Sequence, residues 1–153
     1  MKEIFLNNEP ETIKLGKLIA KEILKIKKSS IEIHLDGDLG SGKTCLARSI
    51  INDSGWNGLV KSPTYTLCEE YELEELMFLH VDLYRTNESE DINIFNLERK
   101  TSEKKIIIIE WPQKLINRRD FDLKIFFEYL DCGRKVSIDD KSNLFSSILK
   151  NYE

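Results

Sequence analysis

No apolar run in this 153-residue sequence approaches the roughly 20 residues that a membrane-spanning helix requires. The opening residues, MKEIFLNNEPETIK, lack the apolar core of a secretory signal, so a cytoplasmic protein is expected. Cysteine is scarce. Cys45, Cys68 and Cys132 stand far apart and form no CxxC pair, which sets zinc and redox chemistry aside and leaves three reduced thiols as the expectation. His34 and His80 each fall inside a predicted strand, where packing accounts for them. A basic excess is missing as well: the net charge is −4, so no chain-wide positive field exists for nucleic acid to follow. The short pairs Lys27-Lys28 and Arg118-Arg119 read as solvated surface charge. There is no repeat, no low-complexity tract and no linker rich in proline or glycine, so one domain is expected.

What is present is an alternation of helix and strand patterns. Leu15, Leu18, Ile19, Ile23 and Ile26 recur at three- and four-residue steps and predict a helix over 11–26. Ile31–Asp36 alternates like a short strand, and Lys43–Asp53 reads as a helix with Leu46, Ala47 and Ile50 on one face. The stretch LVKSPTYTLCEEYEL has no helical period; its β-branched and aromatic residues predict an extended segment interrupted at Pro63. Leu76–Asp82 and Lys105–Glu110 look like buried strands, each ending on a carboxylate. A short helix over Ser89–Leu97 is expected between them, with Ser89 as N-cap. Leu123–Leu130 and Arg134–Ile138 predict a hairpin around Asp131-Cys132-Gly133, and residues 141–151 a closing helix. The fold class expected is α/β: a mainly parallel sheet flanked by helices, with the hairpin adding antiparallel strands.

Between the first strand and the second helix stands GDLGSGKT, Gly37 to Thr44. Gly37, Gly42, Lys43 and Thr44 fit G-x-x-x-x-G-K-[ST] without a mismatch, in the strand–helix context that this phosphate-binding loop needs. Glycines let successive N–H groups turn toward a phosphate, and the following helix adds its positive dipole end. Lys43 is expected at the β- and γ-phosphates and the Thr44 hydroxyl at Mg²⁺, while Gly40 and Ser41 contribute mainly backbone. A nucleoside triphosphate with magnesium is the ligand this predicts. Such sites also place a carboxylate at the end of a neighbouring strand, and here Asp82 and Glu110 both qualify. Arg85 could stabilise charge on the transferring phosphoryl group or pair with Asp82, pairing being the favoured expectation, and Tyr84 is expected to be a core aromatic.

Three further blocks accompany the loop in order: SPTYTL (Ser62–Leu67), HVDLYR (His80–Arg85) and IEWP (Ile109–Pro112). Together the four resemble the bacterial TsaE family, formerly YjeE, over about residues 9–138. The resemblance implies a P-loop NTPase fold and a weak Mg²⁺-dependent ATPase serving the synthesis of threonylcarbamoyladenosine in tRNA, beside the anticodon. It implies the TsaD–TsaB complex as partner and tRNA contact only through that complex. The ATP-contacting set it implies runs through Gly37, Asp38, Leu39, Gly40, Ser41, Gly42, Lys43, Thr44 and Cys45, with Thr64, Asp82 and Arg134. Lys43, Asp82 and Glu110 take catalytic roles, with Thr44 and Glu110 as metal ligands. SPTYTL is similar to the family's switch-type loop, which brings Thr64 and Thr66 toward the γ-phosphate side, and Trp111 matches an aromatic beside the site. Arg134 is similar in place to a residue near the adenine pocket. The sequence departs from the family in TNESEDINIFNLERK, which lacks the usual glycine, and at Cys45, where another threonine is common. Two other readings of the loop stay open: a small-molecule kinase, for which no lid-like insertion is visible, and a nucleotide-gated binding module without hydrolysis.

Overall fold

The computed structural model describes residues 1–86 and 95–152, so the helix expected over Ser89–Leu97 lies largely outside the described residues. One sheet of seven strands carries the fold, in the order β1-β7-β6-β2-β5-β4-β3. The strands are β1 (Lys2–Leu6), β2 (Ser30–Gly37), β3 (Cys68–Glu72), β4 (Leu76–Asp82), β5 (Lys104–Glu110), β6 (Leu123–Tyr129) and β7 (Arg134–Asp139). Among the described residues the helices are α1 (Glu9–Lys25), α2 (Lys43–Asp53) and the five-residue α3 (Ser146–Lys150), with a 3-10 turn at Pro112–Lys114.

The interior strands β6, β2, β5 and β4 run parallel; β7, β1 and β3 add antiparallel edges. Buried on both faces, the central strands read as continuous apolar runs, as IIII in β5 and LMFLHV in β4 show. The expected hairpin forms, with β6 and β7 antiparallel, and its first strand also joins the parallel centre beside β2. One expectation needs correction here. The segment before β4 is extended only over Cys68–Glu72, since Pro63–Thr66 forms a turn. The strand β1 has no counterpart among the sequence expectations. It is short, and only Ile4 and Leu6 of it face inward. The closing helix is half the length expected.

Alternate residues send the two faces into separate apolar clusters. Ile31, Ile33, Leu35, Phe78, Ile106 and Ile108 pack under α1 and α2; Met77, Leu79, Val81, Ile107 and Ile109 pack on the other side with Leu83 and Leu97. Each fully buried Ile or Leu contributes on the order of 1.5–3 kcal/mol. Helix α1 starts on a reciprocal cap: Asn8 Oδ1 accepts from Glu11 N at 3.0 Å, and Glu11 Oε2 accepts from Asn7 N at 2.5 Å. It crosses α2 closely at Gly16, where an added Cβ would lie 2.3 Å from Ser49 Oγ. Because β2, β5 and β4 are parallel and in register, Gly37, Glu110 and Asp82 all emerge at one edge of the sheet.

On the face away from α1 and α2, a charged group is buried beside the sheet. Glu32 in β2 accepts from Arg119 Nη2 at 2.6 Å and Nε at 3.0 Å, and its Oε2 lies 2.7 Å from His34 Nε2. Arg119 is therefore not the solvated charge expected of it; it ties the 115–122 segment to β2. Burial alone would raise the Glu32 carboxyl, but the bonds from His34 and Arg119 outweigh that and hold it below its ordinary 4.5. A depressed carboxyl stabilises the fold above its unfolded value and loses that contribution as pH falls through its folded value. Urea unfolding of the wild type and Glu32→Gln should thus differ most at neutral pH, the gap closing as pH drops below 4.5; a gap constant down to pH 3 would contradict this.

Candidate nucleotide site

The glycine loop joins the end of β2 to the start of α2. At its last turn Gly42 has φ 116°, a left-handed conformation that a side chain resists, and an added Cβ would lie 2.2 Å from Arg134 Nη1. Glycine there lets Arg134 close over the loop, donating from Nη1 to Ser41 O at 3.1 Å. The Tyr129 hydroxyl donates to Gly40 O, so the β6–β7 hairpin holds the loop from one side. Lys43, only 4% exposed, turns back into the loop and donates to Gly37 O at 2.5 Å and Asp38 O at 2.8 Å. Its ammonium also lies 4.5 Å from the Trp111 ring centroid. Burial pulls the Lys43 pKa down, and the negative charges of Glu110, Asp82, Asp36 and Asp38 oppose it.

Acids at the ends of β4 and β5 face this lysine. Thr44 Oγ1 donates to Glu110 Oε1 at 2.9 Å, while Glu110 Oε2 sits 2.6 Å from His80 Nε2. Asp82 stands beside Glu110 in register and accepts from Tyr84 N at 2.9 Å. Burial pushes the Asp82 carboxyl up, against the pull of that N–H, and the neighbouring Glu110 pushes the same way.

The SPTYTL segment turns at Pro63–Thr66, with Leu67 N donating to Pro63 O at 2.8 Å, and is then fastened to β4 by Asp82 N donating to Leu67 O at 2.9 Å. Thr64 faces the cleft and shares a 2.8 Å hydrogen bond with Ser62 Oγ. Thr66 instead donates to Glu69 at 3.0 Å and does not line the cleft. Arg85 does not pair with Asp82: its guanidinium lies 4.6 Å from the Tyr65 ring centroid. Tyr84 is not a core residue either, since it is half-buried, packs on Trp111 with ring centroids 5.0 Å apart, and lines the cleft.

These side chains enclose a cleft of about 520 Å³. Of the predicted set, Leu39, Gly40, Gly42, Lys43, Thr44, Cys45, Thr64, Asp82, Glu110 and Arg134 line it together. Gly37, Asp38 and Ser41 do not line it: the first two offer carbonyls to Lys43, and Ser41 is buried, its Oγ without a partner among the described residues. Residues not anticipated at the site are Glu9, from the first turn of α1, and His80 beneath Glu110. Glu9 carried no signal beyond its helix-start position. His80 did: a lone polar residue in an apolar strand, two positions before Asp82 on the same face. Cys45 lines the wall, and burial pushes its thiol up, with Glu9 adding to the effect, which disfavours the thiolate. A second cavity, of about 600 Å³, opens near Trp56 and Leu73, but glutamates line it and no basic side chain does.

The parallel sheet, the loop at its carboxyl edge and the buried lysine define the P-loop NTPase fold. The crystal structure of YdiB from Bacillus subtilis has the same fold, with a TM-score of 0.69 at 22% identity over 99% of this chain and 93% of that one. The family described as threonylcarbamoyl adenosine biosynthesis protein TsaE matches residues 6–136, and the chain belongs to that family. It is 33% identical to the tRNA threonylcarbamoyladenosine biosynthesis protein TsaE of Haemophilus influenzae, across 97% of this chain and 95% of that one. To the protein of the same name from Aquifex aeolicus it is 34% identical, across 90% and 96%. No helix among the described residues is long and apolar enough to cross a membrane.

The loop geometry can be tested directly. Gly42→Ala should cost about 1–3 kcal/mol in urea unfolding from backbone strain, and adding Arg134→Ala should not recover it, because the φ remains. Full recovery in the double variant would show that the contact with Arg134, not the backbone, sets the requirement.

Proposed function

We propose that this chain is the ATP-binding and ATP-hydrolysing component of threonylcarbamoyladenosine formation in tRNA, acting on the TsaD–TsaB complex. One observation carries the reading: a buried lysine and a threonine–glutamate pair converge on a single cleft, and each group there matches a need of a magnesium nucleotide. The fit is chemical. Lys43 satisfies its ammonium on loop carbonyls, which leaves it free to exchange them for β- and γ-phosphate oxygens. Thr44 and Glu110 are hydrogen-bonded to each other, the hard oxygen donors that would hold Mg²⁺. The bound cation would supply positive charge to the phosphates as they separate.

The chain's own residues divide the remaining work. Lys43 and the loop amides are placed to stabilise charge that develops on the transferred group. Trp111 and Tyr84 wall the phosphate end against water, and Asp82 stands beside Glu110 where a nucleophilic water would need an acceptor. Glu9, Cys45 and Arg134 line the other end, where a nucleoside would lie. Thr64 is within the cleft on a segment tied to Asp82 through Leu67, so the state of the terminal phosphate can reach the surface loop. With a net charge of −4, the chain has little to offer tRNA by itself, which agrees with contact through partners.

The test is reconstitution with TsaD, TsaB, tRNA and threonylcarbamoyl donor. Alone, the chain should hydrolyse ATP slowly. TsaD–TsaB should raise that rate, and repeated tRNA modification should require both this chain and ATP. An ATPase rate indifferent to TsaD–TsaB, with modification indifferent to this chain, would overturn the proposal.

A further inference from the structure

The hydrogen-bond chain at the metal pair does not end on Glu110. Beneath it lies His80, fully buried in β4, with Nε2 2.6 Å from Glu110 Oε2. Glu110 is 2% exposed, and its other oxygen, Oε1, accepts from Thr44. The two carboxylate oxygens are therefore divided: one faces the interior and the histidine, the other faces the loop and the threonine. A carboxylate only accepts, so the short contact is donated by the imidazole Nε2–H. Among the described residues the opposite ring nitrogen, Nδ1, is buried with no hydrogen-bond partner, and Glu110 is the polar group that holds this ring.

The placement is dictated by the sheet. His80 and Asp82 alternate onto the same face of β4, and Asp82 pairs in register with Glu110 on β5. Up to its terminal Asp82, a strand otherwise made of Leu, Met, Phe and Val carries one imidazole, at the position from which it reaches under the neighbouring strand's terminal carboxylate. Burying a ring with one nitrogen left unpartnered costs free energy that leucine at that position would avoid. A role in packing alone leaves that cost unexplained.

We propose that His80 is a positioning residue for Glu110: by holding Oε2 it fixes the carboxylate rotamer so that Oε1 is presented to Thr44 and to a divalent cation. The inference rests on the reading of Thr44 and Glu110 as the metal pair. Partners of metal ligands in this position typically change metal affinity 10- to 100-fold when removed.

The probe is Mn²⁺, followed by its electron paramagnetic resonance signal in the presence of ADP, with ADP binding measured separately without metal. His80→Gln can place an amide N–H near the position of Nε2, whereas His80→Asn is too short to reach Glu110. The glutamine variant should bind Mn²⁺ much as the wild type does. The asparagine variant should bind it roughly 10- to 100-fold more weakly. Both should bind metal-free ADP with unchanged affinity. Equal Mn²⁺ affinity in the two variants would overturn the inference, as would parallel loss of Mn²⁺ and metal-free ADP binding, which would mark His80 as structural. Failure of the wild type itself to bind Mn²⁺ with ADP would instead remove the nucleotide-site reading beneath it.

Discussion

An ammonium group that is 4% exposed must be surrounded by lone pairs, and Lys43 finds them in the carbonyls of Gly37 and Asp38. Much of the rest of the molecule follows from that constraint. The carbonyls converge because the loop turns tightly between β2 and α2. The turn in turn needs glycine at position 42, where Arg134 takes the space a side chain would fill. Negative charge from Glu110 and Asp82 offsets the cost of burying the cation, and both acids are available because three parallel strands end at the same edge. The lysine is thus held in the cleft by groups it can exchange for stronger acceptors. A cleft of about 520 Å³ suits one anionic ligand, and the second cavity, near Trp56 and Leu73, offers glutamates and no cation.

The same edge links the cleft to the surface. Main-chain bonds run from Leu67 to Asp82, from Leu83 to Glu110 and from Trp111 to Leu35, so the switch-like segment, both acids and the aromatic wall share one lattice of strand ends. Tyr65, 81% exposed, carries Arg85 outside that lattice, in view of any partner that approaches the mouth.

The parts legible in the sequence are those set by strong local pattern. Helix α2 matches its expected bounds because a glycine loop fixes its start, and β4 and β5 announce themselves as apolar runs that only a sheet covered on both faces can bury. Position in space was less legible. Nothing in LKIFFEY states that β6 pairs in parallel with β2, since hairpin pairing is local and this contact spans some 90 residues of chain. The pairing of Arg119 with Glu32 and of Arg85 with Tyr65 are likewise long-range choices, which neighbouring residues do not encode. For His80 the local signal was present, but its meaning depended on the register between β4 and β5. Glu9 joins the cleft only because α1 packs across α2 at Gly16.

The most direct test of the central claim is a crystal structure with magnesium and a non-hydrolysable ATP analogue. Lys43 should leave the carbonyls of Gly37 and Asp38 for the phosphates, and the hydrogen bond between Thr44 and Glu110 should open around the metal. A nucleotide bound elsewhere, or one seated in the cleft with Lys43 and the Thr44–Glu110 bond unchanged, would contradict the account.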